Sequence, residues 1–369
     1  MLAFVWVLAV LSSGRVREPR APHLLALLFV VWNAASLMWT VDGPATLRSV
    51  LTYVQLLVLM YLLYDTVDTW KAVRHTLAAY LAGCYVTVVT LLVGYAVGGP
   101  DSEMYGRVTV GGFQPNDVGL ILALAVPIAA YLTGALGDGW RRRAWSVVCA
   151  AYVPCAAFAV LVTGSRAAMA ALLPGLVYVG YRLARRRLAA AVGAMVALAV
   201  LLAAALPLVP ERVLLRLEGT EAALRGGNLN ERQFVWAEAV RLIQEHPVFG
   251  VGGDAFPTAA VGANKTAHNL VLGLFADVGL IGLGLFVGML VTALASLRRA
   301  PSLLRGMWIA VFTAWLSAAL LHNWENRKQT WFLIGLVVVC GALLDEGGGD
   351  DEPADLSEHD PSLEPGAVS

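Results

Sequence analysis

His268 and Asn269 stand side by side where a polar interval gives way to a long apolar run. An imidazole titrates near neutrality, so a histidine at a membrane surface can take a proton from an attacking hydroxyl. His268 would equally serve as a helix-capping or interface histidine. Three arginines stand at comparable boundaries: Arg107, Arg166 in the short turn Thr163-Gly164-Ser165-Arg166, and Arg232. Guanidinium groups stay charged and grip phosphates through several donors. Near a helix end an arginine such as Arg166 also simply snorkels. Arg232 falls in the first turn of a predicted helix, where a cation opposes the macrodipole unless an anion sits there too; a salt bridge to Glu231, Glu238 or another acid of the loop is the alternative. The mouth of another run, Gln114-Pro115-Asn116-Asp117, and the cluster His322-Asn323-Trp324-Glu325-Asn326 complete the polar set, the latter reading equally as a site rim or a solvated loop. Asp277 lies nine residues after His268. On a straight helix it would sit about 13 Å along and on the opposite face, which excludes a simple dyad and favours a structural pairing.

Other chemistries lack their residues. There is no His-x-x-x-His pair, no carboxylate pair at metal spacing and no Gly-x-Ser-x-Gly elbow. Cys84, Cys149, Cys155 and Cys340 all fall in apolar runs without metal or disulfide spacing, so packing is their expected task. Gly250, Gly252 and Gly253 have no following lysine to make a phosphate loop; they permit a tight turn or a close backbone approach. No metal, cofactor or nucleic-acid partner is expected.

The elements that would position these groups are membrane helices. Apolar residues make up 59% of 369, mean hydropathy is +0.70, and long apolar runs recur along almost the whole chain. The fold class is therefore all-α, a polytopic transmembrane bundle. Eleven spans are predicted, at about 1–13, 23–40, 49–64, 75–98, 116–136, 144–163, 167–181, 188–209, 268–296, 307–321 and 331–344. Odd-numbered connections hold 15 Lys and Arg and the short even-numbered ones 5, so the odd ones are assigned to the cytoplasm. Loop 210–267 then lies outside, between helices 1–8 (1–209) and helices 9–11 (268–344). Within it a helix is predicted near 231–246, capped by Asn230 and Gln233, with Trp236, Val240 and Ile243 on one face and Pro247 ending it. Residues 345–369, with nine acids and no lysine or arginine, read as a disordered cytoplasmic tail. Gly279, Gly282, Gly284 and Gly288 suggest close helix packing.

The order of these motifs resembles the O-antigen ligase and polymerase family of bacterial membrane glycosyltransferases. The matching pieces are Arg107-x-x-x-Gly111 leading to Pro115-Asn116, Ser165-Arg166, Arg232-x-x-x-Trp236, Pro247-x-Phe249-Gly250-x-Gly252, and His268-Asn269 leading to Gly279-Leu280-Ile281-Gly282. The family usually has twelve spans with both ends cytoplasmic, one more than counted here, which predicts a further helix ahead of residue 1. Many members carry Glu where Asp277 stands. The resemblance implies an inverting, metal-independent transfer in the inner membrane, with the site facing outward. The donor would be a glycan on undecaprenyl diphosphate and the acceptor a hydroxyl of a glycan or of lipid A-core. By that likeness Arg166 and Arg232 hold the leaving diphosphate and His268 activates the acceptor. Arg107, Asn116, Trp236, Asn269 and His322 would line the substrate. Ligase and polymerase remain open, and a transporter built on discontinuous helices is the reading from a different class.

Overall fold

A computed structural model describes residues 16–98, 103–104, 107–218, 229–261 and 266–347, without the side chains of 216–218 and 229–232. Predicted span 1–13 lies outside them. Ten helices among the described residues are long and apolar enough to cross a membrane, and they coincide with the other ten predicted spans. The chain is thus a multi-pass, all-α bundle.

In chain order the helices are α1 (Ala21–Ala35), α2 (Gly43–Thr66), α3 (Trp70–Val97), α4 (Pro115–Leu132), α5 (Gly139–Val162), α6 (Arg166–Ala184), α7 (Leu188–Ala205), α8 (Glu211–Glu218), α9 (Leu229–Glu245), α10 (Phe256–Ala259), α11 (Leu270–Ala295), α12 (Ser302–Ala319) and α13 (Lys328–Asp345). A two-residue antiparallel ladder, β1 (Glu103–Met104) with β2 (Arg107–Val108), pairs Glu103 with Val108 and Met104 with Arg107. The starts are encoded locally. Asp42, Thr69, Ser165 and Asn269 each accept a hydrogen bond from a backbone N–H of the first turn that follows.

α4 is the centre of the bundle, 78% of its membrane-length window being buried, with α6, α5, α12 and α3 packed around it. Small residues let these backbones close in. A Cβ on Gly119 would stand 2.7 Å from the Ala168 Cβ, and one on Gly175 would stand 3.0 Å from the Pro127 ring. At the other extreme α7 is 6% buried and lies on the rim. The second layer joins α1 to α11 and α2 to α13.

Helix α11 is not continuous. Gly279 has φ 68° and ψ −171°, and the chain opens there to receive the loop that follows α9. Val251 N–H donates to the Ala276 carbonyl at 2.9 Å, Gly252 N–H to the Asp277 carbonyl at 2.8 Å, and Leu280 N–H to the Pro247 carbonyl at 3.0 Å. Bonds that a straight helix would make internally are made to the loop instead, satisfying these three pairs of backbone groups. Two glycines make this fit obligatory: a Cβ on Gly250 would collide with the Asp277 carbonyl oxygen, and one on Gly279 would collide with that of Val248. The glycine-rich stretch is a close backbone approach, and the same loop is clasped from α1 by Trp32, which stacks on Phe249 at 5.6 Å.

Three local expectations change. α9 begins at Leu229, so Asn230 lies in its first turn rather than at the cap. Its buried stripe is Val235, Ala239 and Leu242, while Val240 is exposed, because the face is set by the packing of α9 on α11 rather than by the aromatic alone. The acidic tail starts later than predicted: Asp345 ends α13, Glu346 caps it, and the two pair with Arg20 and Arg17. The rest of the tail, 348–369, falls outside the described residues.

Candidate active site

Two groups of the predicted residues assemble at one end of the bundle. The first is built where the chain enters α4 and α6. The buried Arg107 guanidinium donates from Nε to the Thr163 carbonyl at 3.0 Å and from Nη2 to Asn116 Oδ1 at 2.8 Å. Asn116 Oδ1 also accepts from Ser165 Oγ at 2.9 Å, and Ser165 in turn caps α6 through the Ala168 N–H. The turn carrying Thr163 needs Gly164 in the left-handed region, φ 60°, and is covered by Val213 of α8. Arg166 occupies the first position of α6, half-buried beside this network. Arg107 and Asn116 are therefore locked to the α5–α6 turn and fix where Arg166 emerges.

The second group is built around the start of α11. Asn269 Oδ1 accepts from Leu272 N–H at 3.1 Å, and its Nδ2 donates to the Leu320 carbonyl at 3.2 Å. His268 precedes the cap with φ 48°, in the left-handed region that side chains seldom enter. His268 is thus outside the helix, not in its first turn as predicted, and the straight-helix geometry relating it to Asp277 does not apply. Its ring meets that of the buried His322 edge to face, 6.0 Å between centroids. Trp236 of α9 donates its indole N–H to the Ala267 carbonyl at 2.9 Å, tying the loop helix to the residue before His268. Arg232 lies one turn earlier on α9; its side chain is outside the described residues.

The two groups are joined by Asp117, Trp324 and Glu325 of the two polar stretches, together with Arg327, which the sequence did not single out. Asp117, next to Asn116, accepts from the Trp324 indole at 3.0 Å and pairs with Arg327 at 3.2 Å. Trp324 and Glu325 are almost fully buried, so 322–326 is a packed bridge rather than a solvated loop. Burial pushes the Glu325 carboxyl up to about 7, Asp254 adding to it while Asn323 and Arg327 act against it. Glu325 Oε2 and Asn323 Oδ1 are buried without a hydrogen-bond partner. A tryptophan directly before an acid, two residues beyond a histidine, was the available signal for that bridge. Asp277 accepts a hydrogen bond from the Phe256 N–H at 2.8 Å, the structural pairing expected, but with the docked loop.

Among known proteins, the family described as O-antigen ligase matches residues 150–287. That stretch is similar to the O-antigen ligase family over 138 of the 369 residues. It takes in Arg166, Arg232, Trp236, the loop clasped by α11, His268 and Asn269, and it leaves Arg107, Asn116 and His322 outside. No curated protein matches the chain. The chain is thus a multi-pass helical bundle that carries, over residues 150–287, a likeness to the O-antigen ligase family.

Proposed function

We propose that the protein transfers a glycan from an undecaprenyl diphosphate carrier to a sugar hydroxyl, on the outer side of the bacterial inner membrane, with inversion and without a metal. The observation that carries the reading is the placement of His268. It is held off the helix, against His322, at the end of the bundle where α4, α6 and α11 begin.

In this reading the donor diphosphate lies toward the N-termini of α6 and α9, held by Arg166 and Arg232. Backbone N–H groups and guanidinium donors both favour an anion there, and they gain most as the leaving diphosphate takes on charge. His268 removes the proton from the acceptor hydroxyl as its oxygen attacks the anomeric carbon and the bond to the diphosphate oxygen breaks. A diphosphate leaves without protonation, so one base suffices. Asn269 fixes the backbone that carries His268, and Trp236, Arg107, Asn116 and His322 shape the substrate walls. The acceptor is a core oligosaccharide for a ligase or a growing glycan for a polymerase.

The test is transfer in vitro: purified protein, an undecaprenyl-diphosphate oligosaccharide, candidate acceptors, chelator present and nucleotide absent. Wild type should form product and His268→Ala should lose a factor of about 10²–10⁴ while still binding donor. Arg232→Lys should weaken both binding and transfer, because a point charge replaces a fork. Full activity in His268→Ala would remove the base assignment, and solute uptake by reconstituted protein with no transfer would favour the transporter.

A further inference from the structure

At the end of the bundle opposite His268, a crevice of about 440 Å³ opens between α4, α5, α6 and the loosely held α7. This is within the range of roughly 300–1,000 Å³ that ligand pockets occupy. Most of its wall is apolar, including Cys149, Val153 and Leu198, and no acidic residue lines it. Arg182 and Arg186, one turn apart, also line it. Arg182 is 8% exposed. Its Nη2 donates to the Thr133 carbonyl at the crevice wall, but its Nη1 is buried with no hydrogen-bond partner. The Arg142 guanidinium reaches the adjoining turn, within 3.8 Å of where a Cβ on Gly134 would stand. A guanidinium taken from water with an unused donor is costly unless an anion completes it.

The outer wall points to where that anion comes from. On α7 the residue Ala191 is buried, while Leu188, Val192, Val196 and Val200 are each more than half exposed, as a lipid-facing helix would be. An occupant must therefore be apolar along α7 and anionic at Arg182. We propose that this crevice binds a membrane phospholipid with an anionic headgroup, its phosphate on Arg182 Nη1 and Arg186 and one acyl chain between α5 and α7. Phosphate oxygens match the guanidinium donors, and basic pockets between membrane helices favour acidic headgroups. The site is separate from the one around His268, because α6 runs the length of the bundle between Arg166 and Arg182.

The experiment uses the full chain in phosphatidylcholine nanodiscs with a phosphatidylglycerol probe carrying a photoreactive group on its acyl chain. Labelled peptides are mapped by mass spectrometry. Labelling should concentrate on α5 and α7 around the crevice and be competed roughly tenfold better by unlabelled phosphatidylglycerol than by phosphatidylcholine, equivalent to about 1.4 kcal/mol. Arg182→Gln should cut it by a similar factor. Ala194→Phe, which fills the crevice from α7, should do the same with Arg182 intact, so the test stands if Arg182→Gln fails to fold. Equal labelling by a phosphatidylcholine probe, labelling unchanged in Ala194→Phe, or displacement by inorganic phosphate alone would overturn the proposal.

Discussion

At the scale of single residues, the site combines a strained backbone with buried polar groups. A non-glycine residue in the left-handed region costs about 1–2 kcal/mol, so His268 is held there by its neighbours. His268→Gly should leave the melting temperature unchanged or raised while transfer is lost; a fall in both would mean that the imidazole is mainly a packing group against His322. Asn116 accepts two hydrogen bonds, so Asn116→Ala strands buried donors on Arg107 and Ser165. Its expected cost is about 2–3 kcal/mol. Combined with Arg107→Lys, denaturation should show a coupling of about 1–3 kcal/mol rather than additivity. Glu325 carries the pH dependence. Below its ordinary value of 4.5 both folded and unfolded chains hold the proton; from there to about 7 the folded chain keeps it and the unfolded chain does not. Stability therefore falls as pH rises through this window, by about 3 kcal/mol in all. Glu325→Gln should flatten that slope and be the more stable protein at pH 8, with the two alike near pH 4, as read by melting temperatures across pH.

At the scale of elements, the decisive feature is the break in α11 and the loop seated in it. The glycines differ sharply in what they carry. Gly279 combines positive φ with a Val248 carbonyl that fills the space a Cβ would need, whereas Gly284 has open space around its Cβ position. Gly279→Ala should destabilise by about 3 kcal/mol or more, and Gly284→Ala should be neutral or stabilising by up to about 1 kcal/mol. Thermal unfolding of the two variants in detergent distinguishes a structural hinge from a generally small-residue face. Because the clasped loop packs on the half of α11 that starts just after His268 and Asn269, the first variant should lose transfer as well.

At the scale of the whole molecule, the two ends of the bundle are chemically distinct. One gathers the starts of α4, α6 and α11 around histidines and buried hydrogen-bond networks. The other gathers arginines, including Arg17 and Arg20 paired with Glu346 and Asp345. Those ion pairs have carboxylates about half exposed, so solvent screening limits each to about 1 kcal/mol or less. Deleting 348–369 removes no described contact and should leave transfer and melting temperature unchanged; a loss of transfer would give the acidic tail a task of its own.

Hydropathy alone determined much of this protein. Spans of apolar residues must become helices in a bilayer, which has no water to satisfy open backbone, so ten span positions followed from composition and order. The spacing of polar residues likewise put Arg107, Asn116, Arg166, His268 and His322 at boundaries. What the sequence could not supply were pairings across long separations. Asp117 meeting Trp324, Trp236 meeting Ala267, and Gly252 meeting the carbonyl of Asp277 depend on which helices lie side by side. Periodicity describes one face of one helix. It assumed α11 straight and His268 inside it, but the docked loop supplies the missing hydrogen bonds, allowing the helix to open at Gly279. The buried stripe of α9 was likewise set by its neighbour. Tertiary packing alone decided these, because a neighbour's unmet hydrogen bonds and available space are not written in the local sequence.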